Sequence, residues 1–164
     1  MNYSKIRNVK SLLRVHNNDA GIDFYVPELE EDFIKDLKNK NSKCKIKNGK
    51  IVIRPHERIL IPSGIKVNIP EGHALIAFNK SGISSKKGID LLASVVDESY
   101  HGEIHISIYN SGNHKQIIEF GSKIIQFILL PINYSQPNLV DIDELYKNSI
   151  SERGEGGFGS TDKK

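Results

Sequence analysis

Between residues 103 and 109 the chain alternates strictly, with Ile104, Ile106 and Ile108 interleaved with His105, Ser107 and Tyr109. A period of two sends one set to each side of an extended backbone, so the segment reads as a half-buried strand. The same pattern recurs at short intervals. Residues 51–53, 58–61, 65–69 and 74–78 are β-rich runs punctuated by Pro55, Pro62-Ser63-Gly64 and Pro70-Glu71-Gly72. At these breaks proline pre-sets φ and glycine supplies positive φ. Residues 124–130 form a continuous apolar run ended by Pro131, the pattern of a strand covered on both faces. With no helical pattern between most of these runs, an all-β sandwich or barrel is favoured over βαβ units.

Composition narrows the class. A chain of 164 residues fits one domain with its own core. With 23 Lys+Arg against 20 Asp+Glu, the formal charge of +3 is too small to mark a nucleic-acid binder. Cys44 is the only cysteine, which excludes an internal disulfide and a multi-cysteine zinc site. No run approaches the ~20 apolar residues of a membrane span. The first 14 residues mix Lys5, Arg7 and Lys10 with apolar positions and do not resemble a secretory signal, so a cytoplasmic location is expected.

Three segments depart from the strand pattern. Residues 28–40 place Leu29, Phe33, Ile34 and Leu37 on one helical face, with acids early and lysines late, as the helix dipole favours. They run into Lys43, Lys45, Lys47 and Lys50; the whole of 28–50 reads as a lysine-rich, partly helical insertion, a surface excursion or a docking patch for a regulatory protein. Residues 141–147 read as one or two helical turns. Residues 149–164 contain Gly154, Gly156, Gly157 and Gly159 with few apolar residues, and read as a flexible C-terminal arm after a 1–148 domain. Arg153 and Phe158 stand out there, a cation and a flat ring in a glycine frame.

Several short motifs carry possible chemistry. Asn79-Lys80-Ser81-Gly82 follows a β-rich run and offers a cation, a hydroxyl and backbone N–H groups, which are the donors an oligophosphate needs. It lacks the spacing of a P-loop. In the stretch from Ser94 to Gly102, Asp97 is either a turn residue or a carboxylate at a hairpin tip able to deprotonate water. Asp23, after Ala20-Gly21-Ile22, is either a turn acid or an outer-sphere magnesium group, since magnesium keeps waters and needs few carboxylates.

In order, AGIDFY (20–25), NKSG (79–82), VVDESYHG (95–102), GSKIIQFIL (121–129) and RGEGGFGST (153–161) resemble the five motifs of the trimeric dUTPase family. That resemblance implies a jelly-roll-like β-barrel in a homotrimer with sites between subunits, hydrolysing dUTP to dUMP and pyrophosphate with Mg2+. It implies that Asp97 activates the attacking water and that Tyr100 packs on the deoxyribose. Ser94, Val95, Val96 and the backbone at His105 would pair with uracil, where hydrogen bonds reject cytosine better than an apolar slot could. Lys80, Ser81, Gly82 and Gln126 would hold phosphates, and Asp23 magnesium through water. Arg153 would clamp the γ-phosphate and Phe158 stack on uracil, with Gly159, Ser160 and Thr161 adding phosphate contacts. The chain departs from the family where Lys80 replaces an arginine, losing its bidentate fork, and Asn79 replaces a proline. Alternatives are a same-fold dCTP deaminase, or a non-enzymatic trimer that binds a regulatory protein.

Overall fold

The computed structural model describes residues 1–156. They fall into two compact units, one of Met1–Asn133 and one beginning at Tyr134. In the first, β1 (Asn2–Lys5) and β2 (Ile22–Tyr25) precede α1 (Glu31–Lys40). There follow β3 (Lys45–Lys47), β4 (Lys50–Ile53), β5 (Arg58–Pro62), β6 (Ile65–Asn68) and β7 (His73–Asn79). After α2 (Ser81–Lys87) come β8 (Ile89–Leu91), β9 (Val95–Val96), β10 (His105–Asn110), β11 (Gln116–Glu119) and β12 (Lys123–Pro131). The second unit holds α3 (Ile142–Leu145).

The unit is mostly β, as the alternation requires. Its strands pair antiparallel in four sheets, ordered β1-β6, β5-β10-β8, β11-β4-β3 and β2-β12-β7-β9. The ladders of the described strands do not close into a ring. Short strands broken at Pro and Gly turns leave one sheet for the next before a ring of hydrogen bonds is complete. Ile104, Ile106 and Ile108 of the alternating segment are buried, together with Phe24, Ile51, Ile53, Ile61, Ile65, Leu75, Ile125 and Phe127. β12 lies inside its sheet, paired with β2 on one side and β7 on the other, as its apolar run suggests.

The 28–50 segment differs from a surface excursion. Its helix begins at Glu31, because Glu30 is the extended N-cap residue, and Leu29 is left exposed. Phe33 and Leu37 enter the core, where Phe33 meets Phe120 edge-on at 5.8 Å between ring centroids. Past the helix, the Asn41 side chain pairs with β5 as another strand would. Its Nδ2 donates to the Leu60 carbonyl and its Oδ1 accepts from the Leu60 N–H, both at 2.8 Å. The lysine run forms the β3–β4 hairpin, and its turn residues Asn48 (φ 50°) and Gly49 (φ 68°) are both left-handed. Asn-Gly is the sequence signature of a two-residue type I′ turn.

Candidate active site

Because β12 is central, it sets residues of three strands side by side. Gln126 pairs with Asp23 on β2 and with Phe78 on β7, and Lys80 follows the end of β7. Asp23, Lys80, Lys123 and Gln126 therefore line one cavity of about 280 Å³, together with Asp19, Ala20 and Gly21. Asp23 is buried, and its carboxylate is shared by two ammonium groups. Lys80 Nζ donates to Oδ1, and Lys123 Nζ donates to Oδ2 at 2.9 Å. Burial alone would push the Asp23 pKa up, but the hydrogen bonds and charges of Lys80 and Lys123 outweigh it and hold the pKa below its ordinary value. The Gln126 amide donates to the Asn79 carbonyl at 3.0 Å and lies across Gly21, where any Cβ would collide with it.

Asn79 ends β7, and Lys80-Ser81-Gly82 opens α2 where an open turn was expected. Lys80 is its extended N-cap residue and Gly88 ends it in the left-handed conformation. The first N–H groups of a helix have no intrahelical acceptor, so those of Ser81 and Gly82 are available to a ligand. Asn79 holds this corner by its side chain. Its Oδ1 accepts from the Leu91 N–H at 2.9 Å. Asp90 accepts from Ser84 Oγ at 2.8 Å and Ser111 Oγ at 2.7 Å, tying α2 to β8 and the loop after β10.

The hairpin residues gather elsewhere. Val95, Val96, Asp97, Tyr100, Ile104 and His105 line a cavity of about 190 Å³. Ser94 presents its carbonyl to the Ala77 N–H, which starts β9 on β7. Tyr100 donates its own N–H to the Asp97 carbonyl at 3.1 Å and its hydroxyl to the Glu103 carbonyl at 2.8 Å. This folds the ring back over Gly102, at a point where a Cβ would strike the phenol. Among the described residues, His105 Nε2 is the buried side-chain atom left without a hydrogen-bond partner. A further cavity of about 380 Å³, between the end of α1 and strands β4 and β5, contains none of these motif residues.

One chain does not bring the two cavities together. Val96 pairs with Leu75 and Val95 with Ile76, so β9 carries Asp97 toward the start of β7, whereas Lys80 follows its end. At about 3.3 Å per residue, the two positions are roughly 20 Å apart along the strand.

Lys123 is the site residue that the motif reading missed. It lies within GSKIIQFIL, but spacing alone does not reveal that it faces Asp23 across the β2–β12 ladder. No cluster of three metal-ligating side chains occurs among the described residues. With both oxygens of Asp23 engaged by ammonium groups, direct ligation of magnesium does not fit this carboxylate, and it could meet the ion only through the ion's own waters. In the second unit, Arg153 Nε donates to the Gly156 carbonyl at 2.6 Å within its own turn. Phe158, Gly159, Ser160 and Thr161 lie outside the described residues.

The family model described as dUTPase matches residues 47–162. The chain belongs to the dUTPase family. The deoxyuridine 5'-triphosphate nucleotidohydrolase of Hydrogenobaculum sp. (strain Y04AAS1) is 37% identical over 113 residues, covering 68% of this chain and 75% of that protein. Its counterpart in Clostridium kluyveri is 34% identical over 148 residues, 89% of this chain and 85% of that one. A Staphylococcus bacteriophage 80alpha dUTPase variant, solved with dUpNHpp, superposes with a TM-score of 0.73 at 26% identity, covering 98% of this chain and 96% of that one. The family-model match begins after α1 and after the Asp23 motif.

Proposed function

We propose that this dUTPase-family chain hydrolyses dUTP to dUMP and pyrophosphate in a site assembled from neighbouring copies, and so withholds uracil from DNA and supplies dUMP for thymidylate synthesis. The observation that carries the assembly is the separation of two half-sites. The lysine-lined cavity and the hairpin acid lie at opposite ends of β7, roughly 20 Å apart along the strand, a spacing that a site shared between copies accounts for. A homotrimer joins the hairpin cavity of one copy to the phosphate cavity of the next.

In this reading uracil enters the hairpin cavity and meets the backbone of Ser94–Val96 and His105. The Tyr100 ring, held over Gly102, covers the deoxyribose and leaves no room for a 2′-hydroxyl. Lys80, the N–H groups of Ser81 and Gly82, and Gln126 hold the phosphates. Binding draws Lys80 and Lys123 from Asp23 onto phosphate oxygens. Asp97, exposed and free to meet solvent, removes a proton from a water whose oxygen attacks the α-phosphorus. The bond to the β-phosphate oxygen breaks, and pyrophosphate leaves with its charge compensated by the lysines. Magnesium bound to the triphosphate would neutralise charge and gather the phosphates into one geometry. Arg153 clamps the γ-phosphate and Phe158 stacks on the base, with Gly159, Ser160 and Thr161 adding donors, as the arm closes and excludes water.

The site of action is cytoplasmic in this reading; no helix among the described residues is long and apolar enough to cross a membrane. A regulatory protein bound through 28–50 would have only the exposed face of α1 and the lysine hairpin to grip, since Phe33 and Leu37 are buried. The deciding experiment measures pyrophosphate release from each deoxynucleoside triphosphate, with and without magnesium. Release from dUTP alone supports the hydrolase. Ammonia release from dCTP would favour the deaminase, and silence with every nucleotide would favour a binding role.

A further inference from the structure

Arg7, just past β1, places its guanidinium among three carboxylates from two other parts of the chain. Its Nε and Nη2 reach the two oxygens of Glu103 at 2.9 and 3.0 Å, forming a bidentate pair. Nη2 also meets Asp36 at 2.5 Å, and Nη1 meets Asp32 at 3.2 Å, both on α1. The side chains of Arg7 and Glu103 are only 12% and 10% exposed, so the pair is shielded from solvent and salt. A shared fork between two mostly buried groups constrains position far more than a surface ion pair does.

Glu103 connects this cluster to the hairpin. Its Oε1 also accepts the Gly64 N–H at 2.7 Å, and its main-chain carbonyl accepts the Tyr100 hydroxyl at 2.8 Å. The next residue is bound as well, since the Ile104 N–H donates to Ile65 and the Ile104 carbonyl accepts from Ser63. The hairpin needs such an anchor. β9 is two residues long and backbone pairing resumes only at Ile104, so strand pairing does not hold residues 97–103.

We propose that Glu103, locked by Arg7 and backed by Asp32 and Asp36 of α1, is a positioning residue that fixes Tyr100 and the returning hairpin for discrimination of the sugar. The segment before the family match would then have a task in the reaction, by bracing the hairpin from behind. This inference rests on the hydrolase reading for its kinetic consequence, but not for its structural one.

The test compares the wild type with Glu103→Gln, Arg7→Gln and the milder Arg7→Lys. Each is followed by hydrogen–deuterium exchange and by kcat/KM for dUTP against UTP. Glu103→Gln and Arg7→Gln should speed exchange in peptides spanning 97–104 while β12 keeps its protection. They should also lower the dUTP-to-UTP preference by about tenfold, a smaller loss than the ~100-fold that a full 1 Å misplacement can cost. Arg7→Lys, which keeps the charge and loses the fork, should fall between. A uniform rise in exchange, or an unchanged preference at equal exchange, would overturn the proposal. If the wild type did not turn over dUTP, the hydrolase reading would fail by itself and the exchange pattern would still decide the positioning role.

Discussion

Replacing Phe33 with alanine separates a helix that belongs to the core from one attached to its outside. Phe33 is 1% exposed, packs edge-on against Phe120 at 5.8 Å, and stands one turn from the fully buried Leu37. Truncating a buried phenylalanine removes its transfer free energy and leaves a cavity, together about 3–5 kcal/mol. Against a typical stability of ~5–15 kcal/mol, that is a large fraction. For a chain of this size it corresponds to a fall in Tm of roughly 6–20 °C. The assay is urea unfolding at one fixed protein concentration, because the proposed assembly of copies would add a concentration-dependent part to apparent stability. Leu29→Ala is the control: Leu29 precedes the same helix but is 42% exposed, and its loss should stay within about 0.5 kcal/mol. A Phe33→Ala unfolding free energy within about 1 kcal/mol of wild type, at unchanged m, would refute the packing of α1 into the cooperative core.

Three further outcomes are expected. Asp97→Asn should retain binding of a non-hydrolysable dUTP analogue by calorimetry yet lower kcat by ~100-fold or more, the scale of a lost general base; near-normal turnover would remove Asp97 from that role. Because the folded-state pKa of Asp23 lies below its ordinary 3.8, the Asp23–Lys80–Lys123 cluster stabilises the fold above that value and loses its contribution as pH falls through the lowered one. Unfolding free energies measured from pH 6 to pH 2 should accordingly decline less steeply at the acid end in Asp23→Asn than in wild type, and parallel profiles would contradict the cluster. Removing residues from Arg153 onward should leave the circular dichroism spectrum intact and abolish most pyrophosphate release, whereas full activity would show the arm to be incidental.

The strands with a clear pattern were legible before any coordinates. Residues 103–109 alternate because one face is buried, and Pro62-Ser63-Gly64 and Pro70-Glu71-Gly72 mark real turns on either side of β6. The two-residue β9 carries no period to detect. β1 is exposed at every residue and also shows no alternation. The β3–β4 hairpin was readable from Asn48-Gly49, a local signal hidden in a lysine-rich stretch that looks like solvent-exposed chain. α2 escaped because seven residues containing a glycine and three serines have weak helix propensity, and hydrogen bonds around Asn79 and Asp90 supply what propensity does not.

What the linear order of residues determined by itself is an antiparallel β protein bearing the motifs of a dUTPase, since period, turn residues and motif chemistry are local properties of the chain. Tertiary structure alone decided where each motif went. The central position of β12 put Lys123 against Asp23 and Lys80, and the direction of β9 took Asp97 to the other end of β7. The core drew in Phe33 and Leu37, and with them the helix whose Asp32 and Asp36 meet Arg7. Such juxtapositions depend on which strands pair and in what register, and therefore on contacts between residues as far apart as Arg7 and Glu103.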